Sequence, residues 1–149
     1  MQDLVILCGG RGTRLGELTK KIPKPLIKFN NEPFIDKILK FYQRYQFNKI
    51  YLLAGYRSEM FMSKYNNKIF NFIKINVIIE KSPMGTAGAL YKLKKKIKNN
   101  FLLINADSYV DYDFLEFQKI NFKLGKMLLV KNTNYKSNKK LACLDVKKN

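Results

Sequence analysis

A doubly wound α/β fold, a mainly parallel sheet with helices on both faces, is the class this sequence predicts, and three observations predict it. Strand-length apolar runs alternate with amphipathic segments of helical length along the chain. The runs are continuous in their apolarity, as expected of strands covered on both faces. The stretches of unusual composition fall where those strands end, which is where open parallel sheets bind ligands.

The elements follow in order. Residues 3–8 (DLVILC), 49–54 (KIYLLA), 74–80 (KINVIIE), 101–106 (FLLINA) and 126–131 (KMLLVK) read as strands. Between the first two, 33–46 (PFIDKILKFYQRYQ) places Phe34, Ile38, Phe41, Tyr42 and Tyr45 on one helical face. Pro33 suits the first turn of that helix. Residues 58–66, 86–97 and 111–123 are further helices. The final stretch, 141–149 (LACLDVKKN), reads as a strand that begins and stops, so the sheet is expected to be incomplete at the C-terminus. Such a sheet exposes an edge through which copies can associate, or which a missing carboxyl-terminal half would cover.

Composition narrows the chemistry. With 149 residues, 46% of them hydrophobic, the chain is long enough for one domain with a real core. No apolar run approaches the ~18 residues of a membrane span, and the amino terminus lacks the features of a signal peptide. A cytoplasmic protein without membrane partners is expected. Cys8 and Cys143 form no metal-ligand spacing and read as free thiols. The complete absence of histidine excludes Ser/His/Asp and Cys/His machinery and most zinc sites. Catalysis has to run on carboxylates, lysine, arginine and metal. The net charge of +18 invites a nucleic-acid partner, but the lysines are spread along the chain, with runs at 92–98 and 136–148 and no arginine stripe interleaved with aromatics. A solvated lysine surface that attracts small polyanions is the better reading, and no nucleic-acid partner is expected.

The most informative stretch is LCGGRGTRLG at 7–16, directly after the first apolar run. Two familiar glycine motifs fail there. No GK[ST] completes a Walker A, and a GxGxxG begun at Gly10 would need its third glycine where Leu15 stands. Gly9, Gly10 and Gly12 nevertheless allow main-chain amides to face a triphosphate. Arg14 can fork onto phosphate oxygens, while Arg11 reads equally as a solvated loop side chain. Ten residues after Arg14, Lys24 lies between Pro23 and Pro25, which restrict its backbone. Asp107 ends the fourth strand; a carboxylate there can bind Mg2+ or cap a helix. Glu80 ends the third strand, where a carboxylate can accept two hydrogen bonds from guanine but one from uracil or thymine, and a solvent-exposed charge is the alternative.

GGRGTRL followed by TKKIPKPL resembles the signature of the sugar-1-phosphate nucleotidyltransferases, the pyrophosphorylases that make nucleotide sugars. The similarity continues through LLAGYRSEM at 52–60, EKSPMGTAGAL at 80–90 and LLINADSYVD at 102–111. Within that family the chain looks most like the mannose-1-phosphate and D-glycero-D-manno-heptose 1-phosphate guanylyltransferases. The resemblance implies a Rossmann-like nucleotide-diphospho-sugar transferase fold, with residues 1–149 as the amino-terminal, nucleotide-binding part. It implies transfer of GMP from GTP to a heptose- or mannose-type sugar 1-phosphate, with Mg2+ and release of pyrophosphate. Arg14 and Lys24 are then catalytic, Asp107 holds the metal, and Cys8, Gly9, Gly10, Gly12, Thr13, Glu80, Gly85 and Thr86 bind the nucleotide. Family members continue past this length with a sugar-binding segment and a second metal-binding aspartate. A non-catalytic nucleotide-binding fragment is therefore the alternative, with a basic nucleic-acid-binding protein a further one.

Overall fold

The computed structural model describes residues 2–80, 82, 85–98, 100–110, 112–119, 125 and 127. The strands expected at 126–131 and 141–149, the lysine run at 136–148 and Cys143 fall almost wholly outside these residues. The chain divides into two units, Met1–Tyr112 and Asp113–Asn149. In the second, the described residues form the short helix α5 (Phe114–Lys119), shorter than the expected 111–123.

The first unit carries a five-stranded sheet. Its strands are β1 (Gln2–Leu7), β4 (Phe47–Ala54), β5 (Ile69–Phe70), β6 (Ile73–Ile79) and β7 (Phe101–Asn105), in the order β5-β6-β4-β1-β7. β1 pairs in parallel with β4 and β7, and β4 in parallel with β6; β5 alone joins antiparallel. The chain thus builds outward from β1 to β4 and β6, then returns to place β7 on the other side of β1. That reversal opens a crevice beyond the carboxyl ends of the central strands.

Both faces of the sheet are covered. On one, Val5, Tyr51 and Leu53 are buried with Ala89 and Leu93, from helix α4 (Gly85–Tyr91) and the turns that follow it. On the other, Leu4, Ile6, Leu52 and Ile75 are buried just as completely. The helices α2 (Phe34–Tyr42) and α3 (Ser58–Tyr65) carry the large buried side chains Ile35, Ile38, Leu39 and Phe61. Asp36 of α2 ties the two helices together, accepting from Tyr65 Oη at 2.6 Å and from Lys64 Nζ at 3.2 Å.

Three expectations change in detail. Pro33 belongs to a two-residue hairpin, β2 (Lys28–Phe29) with β3 (Glu32–Pro33), and precedes α2 instead of opening it. The turn residues Asn30 and Asn31 both have positive φ, the conformation a tight twisted hairpin demands. The β5–β6 connection repeats the device at Asn71 and Phe72. The helix expected over 86–97 ends at Tyr91, and Leu93 and Ile97 pack on the sheet from turns. Lysines at 92, 94, 95 and 96 repel one another along any continuous helix there.

The turn leaving β1 shapes the crevice. Thr13–Leu15 form one 3-10 turn, the short helix α1 (Leu18–Lys21) follows, and Lys24–Leu26 form a second 3-10 turn. Thr19, buried beneath the loop, directs its hydroxyl at the carbonyls of Gly12 (3.1 Å) and Gly16 (3.2 Å). With those carbonyls turned inward, the N–H groups of Gly9, Gly10, Arg11 and Gly12 donate to no acceptor among the described residues. Gly12 has φ +65°, and a Cβ on it would stand 3.0 Å from Lys24 Cβ and 3.1 Å from Thr19 Cγ2. Gly12→Ala should therefore destabilise the protein by about 1–3 kcal/mol. Gly10, with open space around it, should tolerate alanine to within about 0.5 kcal/mol. Urea denaturation of the two variants checks the contrast.

Candidate active site

A cavity of about 840 Å³ opens at the carboxyl ends of β1, β4, β6 and β7. The residues given catalytic, nucleotide-binding or metal roles from the sequence all line it: Cys8, Gly9, Gly10, Gly12, Thr13 and Arg14 from the first turn, Lys24, Glu80, Gly85, Thr86 and Asp107. The parallel register brings them together. Cys8, Glu80 and Ala106 extend the ladders by one bond each, donating their amides to Leu53, Ala54 and Leu7 at 2.8, 2.8 and 3.1 Å. The residues just beyond these strand ends therefore share one rim.

Charged side chains of both signs line it. Lys24 Nζ lies 2.8 Å from Asp107 Oδ2, joining the second 3-10 turn to the end of β7 across 83 residues of sequence. Ser108 Oγ donates to the other carboxylate oxygen at 3.1 Å. The Lys24 ammonium, helped by Ser108, holds the Asp107 carboxyl below the usual carboxylate range, against the opposing effect of partial burial. Asp107 is thus anionic throughout the neutral range. Arg14 projects from the first 3-10 turn, exposed, with no side-chain partner among the described residues. Arg11 is exposed, its guanidinium 5.8 Å from the centroid of the Tyr56 ring.

Glu80 occupies a different part of the wall. Its Oε1 is buried and has no hydrogen-bond partner, while Oε2 lies close against the backbone of Gly9 and Gly55. A Cβ on Gly9 would stand 2.6 Å from Oε2, and one on Gly55 3.2 Å from it. A buried acceptor left without a partner is costly, so a donor other than the protein's own groups, a water or a bound molecule, is called for there. Cys8, by contrast, is inert. Burial pushes its thiol far up, and Sγ lies 3.6 Å from the Ile6 carbonyl.

Sequence reasoning missed three residues of this site. Thr19 organises the glycine turn from below. Gly55 makes room for the Glu80 carboxylate. Tyr56 fastens the loop from above, its N–H 3.3 Å from the Gly9 carbonyl and its hydroxyl 2.6 Å from that of Lys20. All three stand inside the stretches TKKIPKPL and LLAGYRSEM that carried the resemblance. Their roles need partners distant in sequence, which no local pattern reveals.

Among the described residues no group of three or more carboxylate, cysteine or histidine side chains is gathered for a metal ion, and no helix is long and apolar enough to cross a membrane.

Comparison with known proteins follows the same lines. The profile of the nucleotidyl transferase family matches residues 4–141. D-glycero-alpha-D-manno-heptose 1-phosphate guanylyltransferase of Campylobacter jejuni is 38% identical over 109 residues, covering 73% of this chain and 49% of that protein. The protein of the same name from Aneurinibacillus thermoaerophilus is 33% identical over 132 residues, covering 87% of this chain and 57% of its own length. The crystal structure of HddC from Yersinia pseudotuberculosis complexed with GMP-PN matches with a TM-score of 0.69 at 32% identity, over 79% of this chain and 53% of that one. The chain spans about half the length of these relatives. With the mostly parallel α/β sheet, the glycine turn and the profile in agreement over most of its length, the chain belongs to the nucleotidyl transferase family.

Proposed function

We propose that this cavity binds GTP and that the chain, as the nucleotide-binding part of a sugar-1-phosphate guanylyltransferase, transfers GMP to a heptose- or mannose-type sugar 1-phosphate. One observation carries the reading. Unpartnered amides, the cationic side chains of Arg14 and Lys24 and the Glu80 carboxylate line a single cavity of about 840 Å³, the size of a nucleotide site. Nucleoside triphosphates are cytoplasmic substrates, so the reaction belongs there.

The division of labour follows from the chemistry of each group. The amides of residues 9–12 form a nest for the triphosphate. Arg14 forks onto the phosphate that departs, and Lys24 neutralises the phosphates at the reacting centre. Gly85 and Thr86 face the nucleoside, and Glu80 accepts from guanine N1–H and the exocyclic amine, donors that match its orphaned oxygen. An oxygen of the sugar 1-phosphate attacks the α-phosphorus in line, and the bond to the bridging oxygen of the pyrophosphate breaks. That attacking oxygen is already ionised at neutral pH, so no general base is needed and the lack of histidine is no obstacle. The protein's work is alignment and charge neutralisation, assisted by the field of its +18 net charge.

Asp107 fits a hard divalent cation. It is an anionic oxygen donor beside the phosphate turn, and one carboxylate completed by substrate phosphates is the donor set Mg2+ takes. Bound there, Mg2+ would supply charge neutralisation at the phosphoryl oxygens.

Pyrophosphate release from GTP in the presence of heptose or mannose 1-phosphate tests turnover. Arg14→Gln should lower kcat/KM by about 10- to 100-fold, the worth of a charge-assisted hydrogen bond. If no pyrophosphate appears while GTP still binds in a titration, the reading contracts to a nucleotide-binding module. Glu80→Gln should weaken GTP binding by about tenfold relative to UTP, since one acceptor of the guanine pair is replaced by a donor. An unchanged base preference removes Glu80 from the recognition.

A further inference from the structure

We infer that Lys24 and a divalent cation are alternative partners of Asp107, so that the metal gains its carboxylate as the nucleotide's phosphates draw Lys24 away. The inference rests on the reading of Asp107 as the cation ligand.

Both oxygens of Asp107 are engaged, Oδ2 by Lys24 at 2.8 Å and Oδ1 by Ser108 Oγ at 3.1 Å. Of these partners the ammonium is the one that a cation cannot tolerate. A divalent ion sits about 2.1 Å from its oxygen ligands, and two positive centres on one carboxylate at such range repel strongly. No cluster of acids among the described residues offers the cation a second home. The contest for this one carboxylate therefore sets how tightly the ion binds before nucleotide phosphates complete its donors.

Lys24 is built to leave. The pair is exposed, with side-chain accessibilities of 38% and 41%, so it is weak and exchanges readily, unlike a buried pair. The base of the side chain, in contrast, is fixed. It rises from a 3-10 turn between two buried prolines, and its Cβ and Cδ lie against Gly12, 3.0 and 3.5 Å from where a Cβ there would be. Rotation about the terminal torsions thus swings the ammonium between Asp107 and the space above the glycine turn, where the unpartnered amides gather phosphate. The exchange conserves pairing, because one Lys–Asp contact is replaced by a cation–Asp107 contact and a Lys24–phosphate contact. Metal entry and phosphate capture by Lys24 then become coupled, and an ion arriving without nucleotide has to displace the ammonium from Asp107.

Manganese is the probe, titrated into the full chain without nucleotide, with free Mn2+ followed by electron paramagnetic resonance. Lys24→Gln should bind Mn2+ at least fivefold more tightly than the unaltered chain. Lys24→Arg, which keeps the cation, should not gain. Lys21→Gln, which removes the same charge from an exposed neighbouring lysine, should also leave the affinity unchanged. Adding Asp107→Asn to Lys24→Gln should abolish the gain. Equal affinity in Lys24→Gln and the unaltered chain overturns the competition while leaving Asp107 as the ligand. An equal gain in Lys21→Gln overturns it too, reducing it to net charge. A gain that survives Asp107→Asn overturns the assignment of Asp107 and the inference with it. Thermal melts of each variant ensure that folded protein is compared.

Discussion

The structure depends on β1 being hydrogen-bonded in parallel on both sides. Leu4, Val5 and Ile6 are fully buried, and the strand's amides and carbonyls are consumed by β4 and β7. A parallel pair aligns the carboxyl ends of its strands, so the loops leaving β1, β4, β6 and β7 must emerge on one rim. Cys8, Glu80 and Asp107 lie within two residues of such an end, while Arg14 and Lys24 are carried to the rim by the 3-10 turns of the connection that leaves β1. A slip of one residue in any ladder would turn those residues to the wrong face of the sheet, because side chains alternate with period two. The buried ladder is thus both the core and the alignment device of the site.

On that rim, the polar groups are left deliberately incomplete. Buried backbone amides and carboxylates are ordinarily satisfied, since an orphaned group forfeits the hydrogen bonds it had in water. Here one oxygen of Glu80 is buried without a protein partner, and the half-buried to exposed amides of the glycine turn keep their donors free of protein acceptors among the described residues, while Thr19 and Tyr56 use their hydrogen bonds to hold the turn open. The cost is borne by the burial of the surrounding α/β layers. An anion carrying hydrogen-bond donors at its other end would engage both sets of groups, and the proposed nucleotide site rests on that complementarity.

Much of this was legible beforehand because the relevant physics is local. Continuous apolar runs in DLVILC and KIYLLA betray strands buried on both faces, and the glycines after the first run betray a turn whose amides are open to the cavity. The two hairpins were less legible. Their signal is a pair of residues at positive φ, and at Phe72 that conformation is imposed on a side chain that does not favour it. The early end of α4 was hidden because helix propensity and lysine repulsion pull oppositely over 92–97, and the packing of Leu93 and Ile97 onto the sheet settles it.

By itself, then, the sequence determined the fold class and, to within a residue or two, the carboxyl ends of the central strands, since both are written in short-range periodicity and composition; most of the residues that line the cavity were named from the family resemblance. Tertiary structure alone decided the strand order, the contact of Lys24 with Asp107, the seating of Glu80 against Gly9 and Gly55, and the supporting roles of Thr19 and Tyr56. The physical reason is range. Partners 71 or 83 residues apart in sequence meet when parallel strands are brought into register, and nothing in either segment specifies the distance at which they meet.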